Sequence, residues 1–227
     1  MKEEINICYL CGNPIIDDFS REHVPPLQFY AKTVRTDKIN LLTVPTHKKC
    51  NNSYQLDEEY FIHTLVPLAM DTYSGSHLLE HLFTQQYKKN RNIPLSKKVL
   101  SEFDKRPSGL HLPKDKVVKY FEPERVWRVV WKITRELFFH EYKVFLPDNI
   151  PNRFDIISPG ETPPEEFEYI AQEPSRGQYP GVFDYKYKKF EMPDNFHMWA
   201  MLFWDKIITI VYFHDPKCSC EKCQVHQ

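Results

Sequence analysis

The sequence has few cysteines, no excess of charge of one sign and no long uninterrupted apolar run. Its six cysteines lie near the two ends of the 227-residue chain, at positions 8, 11, 50, 218, 220 and 223. A disulfide framework would spread its cysteines along the chain. The grouping therefore favours metal binding in a reducing compartment.

The formal net charge of -1 argues against a protein that coats nucleic acid with a uniformly basic surface. The most apolar stretch, residues 196–214, is interrupted by Asp205 and Lys206 and is too short to cross a membrane. The first residues, MKEEINICYL, lack the long apolar segment of a secretion signal. We therefore expect a cytoplasmic protein with no membrane partner.

The composition, with 41% hydrophobic and 15% aromatic residues, is sufficient for a sizeable core. Residues 1–50 are rich in short polar and proline-containing segments, which are typical of a small loop-and-hairpin module that needs a metal for stability. Periodicity predicts helices and then strands in the rest of the chain, which indicates an α+β protein with a C-terminal antiparallel sheet. The predicted helices are 51–70, 76–89, 95–105 and 123–142; the strands are 167–172, 181–190, 197–204 and 206–213; residues 146–165 are predicted to be irregular.

Two cysteine-containing pairs predict a zinc site in the N-terminal module. Cys8 and Cys11 have the C-x2-C spacing, and Gly12 follows them where a tight turn is needed. His47 and Cys50 repeat that spacing just before the predicted helix, which completes a Cys3His set suited to tetrahedral Zn2+. The alternative is that the cysteines are buried thiols and that His47 is an ordinary loop residue.

Further polar residues lie between and after these pairs. Glu22 and His23 form an acidic-histidine dipeptide, Asn40 precedes two leucines, and Asn51 directly follows the last zinc ligand. With the cysteine pairs, this order and spacing resembles the HNH endonuclease family over roughly the first 60 residues. The resemblance implies a zinc-stapled ββα-metal module in residues 1–70 and a substrate-binding or partner-binding domain in residues 71–227.

The resemblance also implies a role for each matching residue. His23 would be the general base, and Asn40 would orient the loop that carries it. Glu22 and Asn51 would bind a catalytic Mg2+ or Mn2+ ion, which makes the chain an HNN variant of the family. The implied reaction is hydrolysis of DNA with 5'-phosphate and 3'-hydroxyl products.

The chemistry of these residues agrees with such roles. Histidine accepts a proton near neutral pH, and a carboxylate with an amide oxygen suits a hard divalent cation. Because adjacent strand residues point to opposite sides, Glu22 and His23 would serve one centre only if the strand is bent there. Taken singly, each residue also has a simpler interpretation: His23 as a histidine beside a proline turn, Glu22 as a solvated charge, Asn40 as a turn residue and Asn51 as a helix N-cap.

The C-terminal tail contains a second group of metal-binding residue types. Cys218, Cys220, Cys223 and His226 lie within nine residues and predict a second zinc site. The alternatives are a reduced, flexible tail or thiols that complete a site with a partner chain. We expect the other histidines of this half, His140, His197 and His214, to be structural.

Residues 88–135 contain 14 basic and five acidic residues. This local excess predicts phosphate contacts, or alternatively a solvated helical face. The complete prediction is a metal-dependent endonuclease acting on DNA, with bacterial or phage defence as the associated role. Two alternatives remain: a noncatalytic zinc module that binds nucleic acid or protein, and an effector that cleaves RNA. Partners would be nucleic acid and a second copy or another protein.

Overall fold

The computed structural model describes residues 6–31, 34, 41–86, 93–114, 116–157, 160–191 and 195–220. Helices and strands are mixed along the chain, and four of the strands form one antiparallel sheet in the C-terminal part. The predicted α+β class and its C-terminal antiparallel sheet are therefore confirmed. None of the helices in these ranges has the length and apolar character needed to span a bilayer.

The N-terminal part begins with an antiparallel strand pair. Strand β1 (Phe19–His23) pairs with β2 (Thr43–His47), and Glu22 lies opposite Val44. Helix α1 (Lys48–Asn52) follows β2 without an intervening loop, and α2 (Gln55–Leu65) begins three residues later. The single helix predicted over 51–70 is therefore divided into two helices and a 3-10 turn (Val66–Ala69).

The middle of the chain consists mainly of helices. Helix α3 (Tyr73–His81) starts at Thr72, whose side chain accepts a hydrogen bond from the Gly75 N–H and so caps the helix. It continues into a π-helical turn (Leu82–Gln86). Helix α4 (Ile93–Ser101) precedes two short paired strands, β3 (Phe103–Asp104) and β4 (Val118–Lys119).

Helix α5 (Pro123–Tyr142) has the boundaries that the sequence predicts. Pro123 occupies its first turn, where the missing N–H has no cost, and Lys143 ends it in a left-handed conformation. Its apolar stripe packs on the C-terminal sheet, where the Trp131 and Phe138 rings lie 5.5 and 5.7 Å from the ring of Phe213. Helix α5 therefore lies between the N-terminal part of the protein and the C-terminal sheet.

The C-terminal sheet has the strand order β5-β8-β7-β6, from β5 (Asn152–Ile157), β6 (Phe183–Phe190), β7 (Phe196–Phe203) and β8 (Ile207–His214). The last three strands were predicted from segments rich in aromatic and β-branched residues and are confirmed. Strand β5 was not predicted, because it lies within the proline-rich segment expected to be irregular. It is an edge strand that pairs only with β8 among the described strands.

The strand predicted at 167–172 is wrong. This segment forms a 3-10 turn (Glu165–Phe167) followed by helix α6 (Glu168–Ala171). Glutamates 165, 166 and 168 lie in the first turns, where negative charge is favourable beside the helix N-terminus. Only Ile170 of α6 is buried, so the segment lacks the inward-facing alternation that a strand of this sheet would need.

Aromatic packing joins the N-terminal part to the sheet. The ring of Phe29 lies 5.2 Å from that of Phe61 and 5.6 Å from that of Trp204. The Trp204 indole N–H donates a hydrogen bond of 3.0 Å to the Phe29 carbonyl. One buried apolar cluster thus contains residues from both sides of the predicted boundary at residue 70.

Candidate functional site

The first cysteine pair lies in a tight knuckle. Gly12 has a left-handed φ of 73°, and its N–H donates to the Cys8 carbonyl at 2.9 Å. The left-handed φ favours glycine at this position, and a Cβ there would also lie 3.0 Å from the ring of Phe145, which would have to shift. The Tyr9 N–H donates to the Pro45 carbonyl at 3.2 Å, which ties the knuckle to β2.

The four residues predicted to bind zinc are brought together. The donor atoms of Cys8, Cys11, His47 and Cys50 all lie within 4.8 Å of one another. His47 Nδ1 is 3.4 Å from the Cys11 sulfur and 3.9 Å from the Cys50 sulfur. Tetrahedral zinc would separate its sulfur and nitrogen ligands by about 3.6 Å. The cluster could therefore hold a metal ion, and its donors are compatible with structural zinc.

The Cys8 and Cys50 thiols of this cluster differ in pKa. Burial raises the pKa of the Cys8 thiol, but hydrogen bonds from the Thr46 hydroxyl and from three backbone N–H groups lower it to about 6. Burial and the neighbouring thiols Cys8 and Cys11 raise the pKa of Cys50 to about 12. Metal binding at this cluster would therefore release the proton that the Cys50 thiol holds.

The predicted catalytic dipeptide lies at the end of β1. The ladder with β2 is regular through the pair His23↔Thr43, so Glu22 and His23 point to opposite faces of the strand. The bend that would turn both side chains to one side is not present within β1. Glu22 is buried, and His23 is half-buried on the opposite face. Asn40 lies outside the described residues, and its role stays a prediction.

The two predicted ligands of the catalytic ion converge on one point. The Nζ of Lys132 lies 3.1 Å from Glu22 Oε1 and 3.0 Å from Asn51 Oδ1. The same ammonium forms an ion pair with Glu58, and its Nζ is 3.6 Å from Glu136 Oε1. The Lys132 side chain has no exposed surface. A protein cation therefore lies among the predicted metal ligands, which come from β1 and α1.

Lys132, Glu22, Asn51, Glu58 and Glu136 form the Lys132 cluster, in which burial and the neighbouring charges have opposing effects on the pKa values. Burial lowers the pKa of Lys132, but the surrounding carboxylates outweigh burial and raise it above its ordinary value. Burial raises the pKa of Glu22, although Lys132 and a hydrogen bond from Asn51 oppose that change. Lys132 is therefore a permanent positive charge that compensates the buried acids around it.

Glu136 connects the Lys132 cluster to the cysteine knuckle. Its Oε1 accepts a hydrogen bond of 2.5 Å from the Tyr9 hydroxyl, and Tyr9 is adjacent to the predicted zinc ligand Cys8. Complete burial raises the pKa of Glu136 to about 8, with Lys132 acting in the opposite direction. Glu136 therefore binds a proton more readily than an exposed glutamate does.

Sequence reasoning did not identify Lys132, Glu58, Glu136 or Tyr9 as members of a site. A signal was present in α5, where Lys132 and Glu136 are four residues apart and lie among the buried apolar positions Val129, Ile133 and Leu137. Charged residues on the buried stripe of a helix need partners from other elements. The sequence gives no indication which elements provide them.

Much of the positive charge in residues 88–135 is used within the fold. Lys119 is paired with Glu102, and both Arg125 and Arg128 are paired with Asp57. Lys132 lies in the buried cluster, and Arg135 donates to the Leu146 carbonyl at 2.9 Å. These contacts reduce the charge that this stretch can offer to phosphates.

The second predicted metal group is only partly as expected. Cys218 and Cys220 lie together, but the nitrogen donor beside them is His214, which was expected to be a structural histidine. Cys223 and His226 lie outside the described residues. His214 was not predicted as a donor because it belongs to strand β8, and the chain turns back after this strand before the cysteines meet it.

Comparisons with family models, with curated proteins and with solved structures found no match for this chain.

Proposed function

We propose that this chain is a metal-dependent endonuclease of the HNH type that hydrolyses DNA phosphodiester bonds. Residues 1–70 would be its zinc-stapled ββα-metal module. The observation that carries the proposal is the convergence of Glu22 Oε1 and Asn51 Oδ1 on one cation, at 3.1 and 3.0 Å. These are the two residues that the resemblance assigns to a catalytic ion.

The donor set meets the chemical requirement of that ion. Carboxylate and amide oxygens from Glu22 and Asn51, with the Glu58 carboxylate beside them, are ligands that Mg2+ and Mn2+ accept. The Lys132 ammonium now holds the position, and two cations cannot share it. A divalent ion would therefore compete with Lys132. When bound, it would stabilise negative charge that develops on a scissile phosphate.

His23 is the proposed general base. His23 is half-buried on the opposite face of β1 from Glu22, so this role requires β1 to bend at these two residues when the catalytic ion binds, which would bring both side chains to one centre. In hydrolysis a water oxygen attacks phosphorus, the imidazole takes the proton of that water, and the bond to the leaving 3'-oxygen breaks. An imidazole that is neutral near pH 7 suits this proton transfer.

The test is cleavage of plasmid DNA, linear DNA and RNA by the purified protein with Mg2+ or Mn2+. Loss of a general base reduces the rate by about 10²- to 10⁴-fold, so His23→Ala is expected to lose at least 100-fold. His111→Ala, at an exposed histidine, is the matched control and should retain full activity. Circular dichroism and zinc content establish that both variants fold.

Equal cleavage by wild-type protein and His23→Ala would remove His23 as the base. Cleavage confined to RNA would instead favour the RNA-directed effector. A role in bacterial or phage defence is part of this proposal by resemblance alone, and the domain proposed over 71–227 would bind substrate, a partner protein or a second copy of the chain.

A second candidate function is a noncatalytic zinc module that binds nucleic acid or protein. The observation that favours it is the complete burial of Lys132 among Glu22, Glu58 and Asn51, because this arrangement compensates the acids without any added ion. Under this alternative the protein binds no Mn2+ outside its cysteine clusters and cleaves nothing. Isothermal titration of the zinc-loaded protein with Mn2+ distinguishes the two functions.

A further inference from the structure

A second candidate metal cluster lies at the end of strand β8. His214 is the last residue of that strand, and its Nδ1 is 3.5 Å from the Cys218 sulfur and 3.4 Å from the Cys220 sulfur. The three donor atoms lie within 4.8 Å of one another. We propose that His214, Cys218 and Cys220 bind a zinc ion that fastens the chain after β8 to the end of the sheet.

The backbone after β8 is arranged to bring the donors together. The Cys218 N–H donates to the Asp215 carbonyl, and the Lys217 N–H donates to the Asp215 carboxylate, both at 2.8 Å. These bonds close a turn that returns Cys218 to the side of His214. Cys218 is buried with only 4% of its surface exposed, which is unusual for a residue beyond the last strand.

Asp215 is itself held firmly by the sheet. Its carboxylate lies 3.0 Å from His197 Nε2 and 2.8 Å from Lys189 Nζ, and its N–H donates to the Asn195 carbonyl at 2.7 Å. His197 and Lys189 are opposite each other on β7 and β6. The turn that carries the two cysteines is therefore anchored to two neighbouring strands independently of any metal.

The donor distances and donor types agree with zinc. Tetrahedral zinc would place its sulfur and nitrogen ligands about 3.6 Å apart, close to the two separations at His214. Two thiolates and an imidazole are soft and borderline donors, which favour Zn2+ over Mg2+. The three residues leave one position of a tetrahedron for a further donor.

This ligand set differs from the set that the tail sequence suggests. The spacing of the tail points to His226 as the nitrogen ligand, whereas the geometry points to His214. The difference has a structural consequence, because a ligand on β8 makes the metal a cross-link between the sheet and the chain that follows it. A set confined to the tail would order only the tail.

The test is the zinc content of the full-length protein, purified without chelator and measured by mass spectrometry. We expect two zinc ions per chain. Cys8→Ser with Cys11→Ser should remove one, and Cys218→Ser with Cys220→Ser should remove the other. Far-ultraviolet circular dichroism establishes that each variant folds.

The choice of nitrogen ligand is tested by a matched pair of variants. His214→Ala is expected to lower zinc occupancy at the second site by at least tenfold at limiting zinc, and His226→Ala should leave it unchanged. Cobalt substitution gives an independent readout, since thiolate-to-cobalt absorption from this site should disappear with Cys218→Ser. Zinc content unchanged by Cys218→Ser with Cys220→Ser, or loss caused by His226→Ala and not by His214→Ala, would overturn the proposal.

Discussion

Replacing Lys132 by methionine tests whether its ammonium compensates the buried acids. The substitution removes the charge that contacts Glu22, Glu58 and Asn51 and keeps most of the side-chain volume. Breaking a buried ion pair by removing one partner costs about 3–5 kcal/mol. A separate estimate agrees: holding Glu22, with an ordinary pKa of 4.5, protonated at pH 7 costs about 3 kcal/mol.

The loss in free energy of unfolding caused by Lys132→Met, called the deficit below, should depend on pH. A carboxyl group whose pKa is raised by folding contributes stability below its unfolded pKa and loses that contribution as the pH rises through its folded value. Without Lys132 the pKa of Glu22 must rise further. The deficit of Lys132→Met should therefore be larger at pH 7 than at pH 5, by about 2 kcal/mol.

The assay is urea denaturation followed by tryptophan fluorescence at both pH values. Lys206→Met is the matched control, because Lys206 pairs with the exposed Asp71 at the surface, and it should change the free energy of unfolding by less than about 1 kcal/mol. A deficit for Lys132→Met below about 1 kcal/mol at pH 7, or one independent of pH, would refute the assigned role of the ammonium.

Stabilisation of the Lys132→Met variant by Mn2+ tests the proposed catalytic ion site. If Glu22 and Asn51 bind a divalent ion, removal of its competitor should let Mn2+ restore stability, by about 3 kcal/mol at 100 times its dissociation constant. Adding Glu22→Gln to Lys132→Met should abolish that restoration. Failure of Mn2+ to stabilise Lys132→Met would favour the noncatalytic alternative.

Three further substitutions test other parts of the structure by urea denaturation. Glu136, whose pKa is raised to about 8, should make the wild type less stable as the pH rises from 4.5 to 8. In Glu136→Gln the loss of stability over this pH range should be smaller by up to about 5 kcal/mol, and an unchanged loss would contradict the assignment. Gly12→Ala should destabilise by at least about 1 kcal/mol, because φ is 73° and the new Cβ meets Phe145; a neutral effect would be inconsistent with the knuckle. Trp204→Phe should cost about 1–3 kcal/mol, since the buried Phe29 carbonyl loses its donor; a neutral effect would contradict the stabilising role of this hydrogen bond.

Local signals predicted the elements whose partners are near in sequence. Helix α5 was predicted to the residue, since Pro123 marks its start and its apolar residues repeat with helical spacing. Strands β6, β7 and β8 were predicted because their segments are rich in aromatic and β-branched residues, and each pairs with its neighbour in the chain. The cluster of Cys8, Cys11, His47 and Cys50 was predicted because each of its two pairs is separated by two residues, which is also a local signal.

Features that depend on distant partners were not predictable in this way. Strand β5 exists through its pairing with β8, more than 50 residues later, for example Asn152 opposite Phe213. The Lys132 cluster needs β1, α1, α2 and α5 to meet, and only the packed structure brings them together. His214 became a candidate ligand for the same reason, since a turn after the strand returns Cys218 to it.

The hydrogen bond between the Trp204 indole and the Phe29 carbonyl has a consequence for how this protein can be divided. A fragment that stopped at residue 70 would leave Phe29 and Phe61 facing water where Phe203 and Trp204 now cover them. The ammonium of Lys132 would also be missing from beside Glu22. Transplanting the segment that carries Cys8, Cys11, His47 and Cys50 into another protein would therefore require carrying α5 and the β7–β8 hairpin with it.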